Sequence, residues 1–149
     1  MERIKVKLKN VSGDELREVP KYETPGAAGV DLRACLAQEI ILQPSETVKI
    51  PTGWAMQLPD SQVVALVFAR SGLAANYGVA LANGVGVIDS DYRGEIQILM
   101  SNTGPEPFTI HHGDRIAQLL FMPVMRAEFE VVEDLVETLR GKGGFGSTG

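Results

Sequence analysis

The chain has 149 residues with a formal net charge of −5, 44% hydrophobic and 22% charged residues, and one cysteine. That length suits one domain with one core, and no apolar run approaches the ~20 residues of a membrane-spanning helix. An acidic balance without clustered Lys and Arg excludes long nucleic acid as a partner, while Cys35 alone permits neither an intrachain disulfide nor a cysteine zinc site.

From the N-terminus, Met1-Glu2-Arg3-Ile4-Lys5 lacks the apolar stretch of a secretory signal, so a cytoplasmic protein without membrane contacts is expected. Ile4 to Lys9 alternates with period two, which predicts a strand with Ile4, Val6 and Leu8 on one face and lysines on the other. The small-residue run from Pro25 to Ala34, with one acid at Asp31, reads by itself as a loop. Further strands are predicted where Trp54, Met56 and Leu58 alternate with their neighbours, and over Val63 to Phe68, Ile96 to Met100, Ile116 to Met122 and Glu128 to Val132.

Helix is scarce: one turn after Ser71, through Leu73-Ala74-Ala75, and a weak stretch near Val132 to Leu139. Turn signals such as Pro25-Gly26, Pro44-Ser45, Pro59-Asp60, Asn83-Gly84 and Gly113-Asp114 separate the strands, a spacing typical of a sandwich, barrel or jelly roll. His111 and His112 would face opposite sides of a strand, which makes a shared metal improbable and both histidines surface residues.

Four segments could carry chemistry. After an apolar strand, Ala69-Arg70-Ser71-Gly72 sets Ser71 as an N-cap, and free amides at a helix start beside Arg70 also suit an anion. Gly84 to Ile96 is a glycine-punctuated hairpin with Asp89 and Asp91 flanking a turn ahead of Tyr92. Asp89 could hold a water, or both acids could simply bond their own turn. Gly113-Asp114-Arg115 leads into a strand in which Gln118 sits among apolar residues and needs hydrogen-bond partners.

The last ten residues, Arg140 to Gly149, offer cations, hydroxyls and one aromatic ring among glycines, with almost no side chain to join a core. This segment is expected to be flexible. Its G-x-G-x-x-G spacing is no dinucleotide motif, because only three residues follow it.

In order, A-G-V-D-L-R-A, R-S-G-L-A, N-G-V-G-V-I-D-S-D-Y-R-G-E-I, G-D-R-I-A-Q-L and R-G-K-G-G-F-G-S-T-G resemble the five motifs of the homotrimeric dUTPase family. The resemblance runs from about residue 25 to the C-terminus and departs at Ala69, where many relatives carry proline. It implies an all-β, jelly-roll-like barrel of short strands with one short helix over residues 1–139, and a glycine-rich arm over 140–149 that closes over a neighbouring subunit's site.

The implied reaction is Mg2+-assisted hydrolysis of dUTP to dUMP and pyrophosphate, which limits uracil entry into DNA and supplies dUMP for dTTP synthesis. By the same resemblance Asp89 holds the attacking water, Asp31 orients Mg2+ through water, and Arg70, Ser71, Gly72 and Gln118 contact phosphates. Asn83, Gly86, Val87, Ile88 and Gln97 frame uracil and Tyr92 faces the deoxyribose. Arg140, Phe145, Gly146, Ser147 and Thr148 belong to the closing arm. Two other readings fit the fold: a dCTP deaminase, and a nucleotide-gated regulatory binding protein.

Overall fold

The computed structural model describes residues 3–146. Within them, short β-prone runs separated by Gly and Pro turns give ten strands and one helix. In chain order these are β1 (Lys7–Asn10), β2 (Val30–Arg33), β3 (Ile40–Leu42), β4 (Thr47–Gln57), β5 (Val63–Phe68), α1 (Ser71–Tyr77), β6 (Val79–Leu81), β7 (Gly86–Ile88), β8 (Glu95–Asn102), β9 (Phe108–Ile110) and β10 (Arg115–Pro123). They form two four-stranded sheets, ordered β1-β4-β8-β6 and β2-β10-β5-β7, and a small β3-β9 pair. All pairings are antiparallel. The fold is all-β and jelly-roll-like.

One buried cluster draws on all three sheets: Leu32, Val67 and Ile116 from the second, Ile50, Ile98 and Met100 from the first, Leu42 and Ile110 from the pair. Period-two alternation is cleanest in β8, where Ile96, Ile98, Met100 and Asn102 turn inward. In β4 the alternation fails, since Thr52 to Met56 are all buried. The cause is Gly53, at φ +74°, where the β4–β8 register shifts between Pro51 and Ala55. There the strand bends and both of its sides are covered.

Several expectations change. The Pro25–Ala34 run, read as a loop, contains β2, because Val30 and Leu32 bury inward while β10 pairs with the backbone of residues 30–33. Ser71 is not the N-cap: Arg70 holds that position in extended conformation without a side-chain cap, and its carbonyl accepts the first helical bond from Ala74 N–H at 3.1 Å. His111 and His112 follow β9 in a turn rather than lying on a strand; both are exposed, as expected. His111 faces Glu39 and Asp114, and His112 Nδ1 accepts from Leu36 N–H.

The N-terminal strand begins at Lys7, and Leu8 is 37% exposed, so the anticipated apolar face is only partly covered. From Met122, at the end of β10, to Lys142 every residue is exposed, and neither a strand at Glu128–Val132 nor a helix at Val132–Leu139 forms. Neither can persist without a surface to pack against. Among the described residues no helix is long and apolar enough to cross a membrane.

Asn102 is the polar member of the inward row on β8 and is fully buried. Its Nδ2 donates to the Leu42 and Glu106 carbonyls at 3.0 and 2.7 Å, and its Oδ1 accepts from Gly104 N–H at 2.9 Å, tying β8 to β3 and to the following loop. Asn102→Ala should strand those backbone groups and lower stability by about 2–3 kcal/mol. Urea unfolding at fixed protein concentration reads this; a loss below about 0.5 kcal/mol would mean that water replaces the amide fully.

Candidate active site

The segment from β7 to β8 is not the paired hairpin expected from the sequence, since its two strands join different sheets, yet it encloses a cavity of about 240 Å³ lined by Asn83, Gly86, Val87, Ile88, Asp89, Tyr92 and Gln97, with Val67, Leu81 and Glu95 among its other walls. Seven of the residues singled out in the sequence therefore meet in one place. Pairing explains why: β7 lies against β5 with Gly86 opposite Val67, and β8 lies between β4 and β6. A side chain at Gly86 would crowd Val67, since a Cβ there would stand 3.1 Å from its own Cβ.

Ile88 is buried and anchors β7, while Val87 points outward and is 64% exposed. Asp89 follows β7 in an exposed position and its carbonyl accepts from Tyr92 N–H at 3.1 Å. Neither the Asp89 nor the Asp91 carboxylate takes a hydrogen bond from the described residues, so neither is an ordinary self-bonded turn acid. The Asp89 carboxylate is free to hold a water or a ligand. Tyr92 is fixed by its hydroxyl, which donates to the Glu95 carbonyl at 3.0 Å.

A second group forms where β2 and the end of β5 flank β10. Gln118 pairs across with Asp31 on one side and Phe68 on the other. The Asp31 carboxylate lies 3.4 Å from Arg70 Nε and 3.2 Å from Arg115 Nη1. Arg70 Nη1 also donates to the Arg115 carbonyl at 3.0 Å. Arg115 was not singled out in the sequence, although it stands within the fourth motif; its link to Asp31 spans 84 residues. Gln118 Nε2 donates to the Ala69 carbonyl at 2.9 Å, and Gly29 leaves room for its Oε1, which would be 2.9 Å from a Cβ there. Ser71 and Gly72 open α1 beside Arg70. The result is two guanidinium groups, one carboxylate, an amide and exposed helix-start N–H groups, a set suited to an anionic chain with its counter-cation.

No hydrogen bond or ion pair among the described residues joins the β7–β8 pocket to this group. In the C-terminal segment Arg140 Nε bonds the Gly143 carbonyl at 2.9 Å, Phe145 is fully exposed at φ +50°, and Gly146 has φ +87°. Among the described residues none of these lines the cavity or shares a hydrogen bond or ion pair with either group. Ser147 and Thr148 lie outside the described residues.

A second cavity, of about 180 Å³, lies beside Asp31 and includes Arg17, Arg33, Trp54 and His112. On its rim Lys21 and Glu18 pair at 2.5 Å. That hydrogen bond and the lysine's charge hold the Glu18 carboxyl below its ordinary value and raise the Lys21 ammonium. Both are exposed, so the pair does little for stability.

A family model described as dUTPase matches residues 16–149. A deoxyuridine 5'-triphosphate nucleotidohydrolase from Desulfitobacterium hafniense (strain DSM 10664 / DCB-2) is 60% identical over 149 residues, covering 100% of this chain and 99% of that protein. A protein of the same description from Pectobacterium carotovorum subsp. carotovorum (strain PC1) is 48% identical over 149 residues, covering 100% and 98%. Among solved structures, the Staphylococcus bacteriophage 80alpha dUTPase with dUpNHpp superimposes with a TM-score of 0.84 at 25% identity, over 97% of this chain and 98% of that one. Matched from end to end by such relatives, and carrying both polar groups on the corresponding fold, the chain belongs to the dUTPase family.

Proposed function

We propose that this chain is a dUTP diphosphatase that hydrolyses dUTP to dUMP and pyrophosphate, the water attacking the α-phosphorus in line. The observation that carries this reading is the unpaired Asp89 carboxylate on the wall of the β7–β8 cavity. At about 240 Å³ that cavity falls below the ~300–1,000 Å³ of pockets that engulf drug-sized ligands, so it suits a base and sugar with the phosphates outside. In the cell the reaction would limit uracil incorporation into DNA and supply dUMP for dTTP synthesis.

Asp89 positions the water and accepts its proton as the bond to phosphorus forms. Uracil offers acceptor, donor and acceptor along its pairing edge. Asn83 and the backbone groups around Gly86, Val87, Ile88 and Gln97 can answer that order, whereas cytosine would leave unpaired groups at ~1–3 kcal/mol each. Thymine is refused on size. Tyr92 lies against the deoxyribose and denies space to a 2′-hydroxyl. Arg70, Ser71, Gly72 and Gln118 take the phosphate oxygens, where charge grows as pyrophosphate leaves.

Mg2+ suits this donor set. Among the described residues no three His, Cys, Asp or Glu side chains converge as a metal cage, and Asp31 is a lone carboxylate already flanked by two arginines. A hard cation that keeps its waters and binds mainly phosphate oxygens needs no more than that one carboxylate, through water. When bound it would neutralise the phosphates and polarise the α-phosphoryl group.

A homotrimer with shared sites accounts for the exposed apolar run after β10. Met125, Phe129, Val131, Leu135, Val136 and Leu139 are each at least 85% exposed in the lone chain, a patch more fitting for a subunit contact than for bulk water. Carried along a neighbour, this segment would deliver residues 140–149 as an arm. Phe145 would then stack on the base, while Arg140, Gly146, Ser147 and Thr148 close on the terminal phosphates and exclude water.

Asp89→Asn is nearly isosteric and should keep dUTP binding while lowering turnover by about 10²- to 10⁴-fold, read as pyrophosphate release with Mg2+. Retention of half the wild-type rate would assign the water to another group. UTP, dCTP and dTTP assayed alongside should each be poor substrates, and ammonia release from dCTP would reveal deaminase activity instead.

Lending of the arm is tested by complementation. A chain lacking residues 140–149 and a full-length Asp89→Asn chain should each be nearly inactive. Unfolded and refolded together at equal amounts, they should recover about a quarter of wild-type activity, since each of two independent conditions holds in about half of the sites. No recovery despite proven subunit mixing would mean that the arm serves the β7–β8 segment of its own chain.

A further inference from the structure

Tyr92 owes its position to two contacts. Its hydroxyl bonds the Glu95 carbonyl, and its ring lies directly on Gly94. A Cβ built at Gly94 would stand 2.6 Å from Cζ and 3.0 Å from Cε2, with the hydroxyl oxygen closer still. Carbon atoms in good contact sit about 3.5–4.0 Å apart, so ring and methyl cannot share this space.

The backbone beneath the ring is poorly placed to yield. Glu95 Oε1 accepts from Gly53 N–H at 2.8 Å, tying the start of β8 to the bend in β4, and the next residue, Ile96, is buried. Gly94 does not have a left-handed φ, so its own conformation would admit a side chain. The ring alone excludes one. Tyr92 is 46% exposed, which makes the ring the part that would move.

We infer that Gly94 is a positioning residue for sugar selection. Bare backbone at 94 is the floor on which the Tyr92 ring rests, and the Glu95 carbonyl is the latch that fixes the ring's rotation. Floor and latch together hold one ring position, and steric refusal of a 2′-hydroxyl requires a wall that stays in place. A methyl at 94 lifts the ring by about 1 Å, enough to break the latch and to misplace a contact that discriminates by shape. This inference rests on the reading that Tyr92 excludes the 2′-hydroxyl.

The test compares kcat/KM for dUTP and UTP in the wild type, Gly94→Ala, Tyr92→Ala and the double variant. Gly94→Ala should lower the dUTP-to-UTP ratio by about tenfold, while in the Tyr92→Ala background the same methyl should change it less than about twofold, there being no ring to displace. If Tyr92→Ala lowers the ratio and Gly94→Ala does not, the role of Gly94 is overturned and that of Tyr92 stands. If neither lowers it, the 2′-position is read elsewhere and both fall. Equal losses in the two backgrounds would give Gly94 a purely backbone role and also overturn the inference. Should Gly94→Ala fail to fold, Tyr92→Phe keeps the ring and removes the latch. A fall of at least about threefold in its ratio supports the inference, and an unchanged ratio overturns it.

Discussion

The packing of β8 is the constraint on which the rest depends. Ile96, Ile98 and Met100 are clamped in the core, and because side chains alternate along a strand, that clamp decides what the other face presents. Gln97 is turned outward into the cavity wall, and Glu95 at the head of the strand holds both the bend of β4 and the Tyr92 hydroxyl. Asn102 plays the matching part at the far end, a polar group accepted in the core because all of its bonds are made there. A one-residue slip of β8 would bury Gln97 and expose Ile96, so the β7–β8 pocket is only as well defined as this register.

The two polar groups solve different problems. The β7–β8 segment offers shape: a small cavity, a ring held in one place, and backbone groups whose order, in the proposed function, a base would match. The Asp31, Arg70 and Arg115 cluster works by charge. Asp31 lies within 3.4 Å of Arg70 and 3.2 Å of Arg115, and is the less exposed member of both pairs, so it holds two guanidinium groups near one point. Ordering long side chains before a ligand arrives reduces the entropy lost on binding. In the proposed function such a cluster would let a chain of net charge −5 receive a polyphosphate, since local cations outweigh the overall balance.

The segment after β10 is the part of the chain that the lone subunit leaves unsatisfied. Its acids and apolar residues alternate over Glu128 to Val131, a pattern that buries one face of a strand, yet the described chain offers it no partner and no sheet to cover. In the proposed assembly the same residues carry the arm between subunits. Burial of the apolar run would then supply the stabilisation, and the glycines beyond it the freedom to open and close.

Strong local patterns were legible from the sequence. Val63 to Phe68 reads as a strand from its β-branched apolar run and is one. The segment from Gly84 to Ile96, expected as a hairpin, does enclose a cavity, but its strands β7 and β8 pair into different sheets and form no hairpin with each other. The order of the motifs carried the family, and with it the residues proposed for the site. Other features were hidden because they depend on what lies opposite. The three-residue strands β3, β6 and β9 are too short to show a period, and β2 is a strand because β10 lies beside it. Ser71 lost the N-cap to Arg70 because the chain leaves β5 already extended. The approach of Arg115 to Asp31 across 84 residues, and the seat of Tyr92 on Gly94, are contacts made in space. Local patterning determines which residues turn inward, but only the packing of the sheets brings distant side chains within a few ångströms, and at this site that distance decides the chemistry.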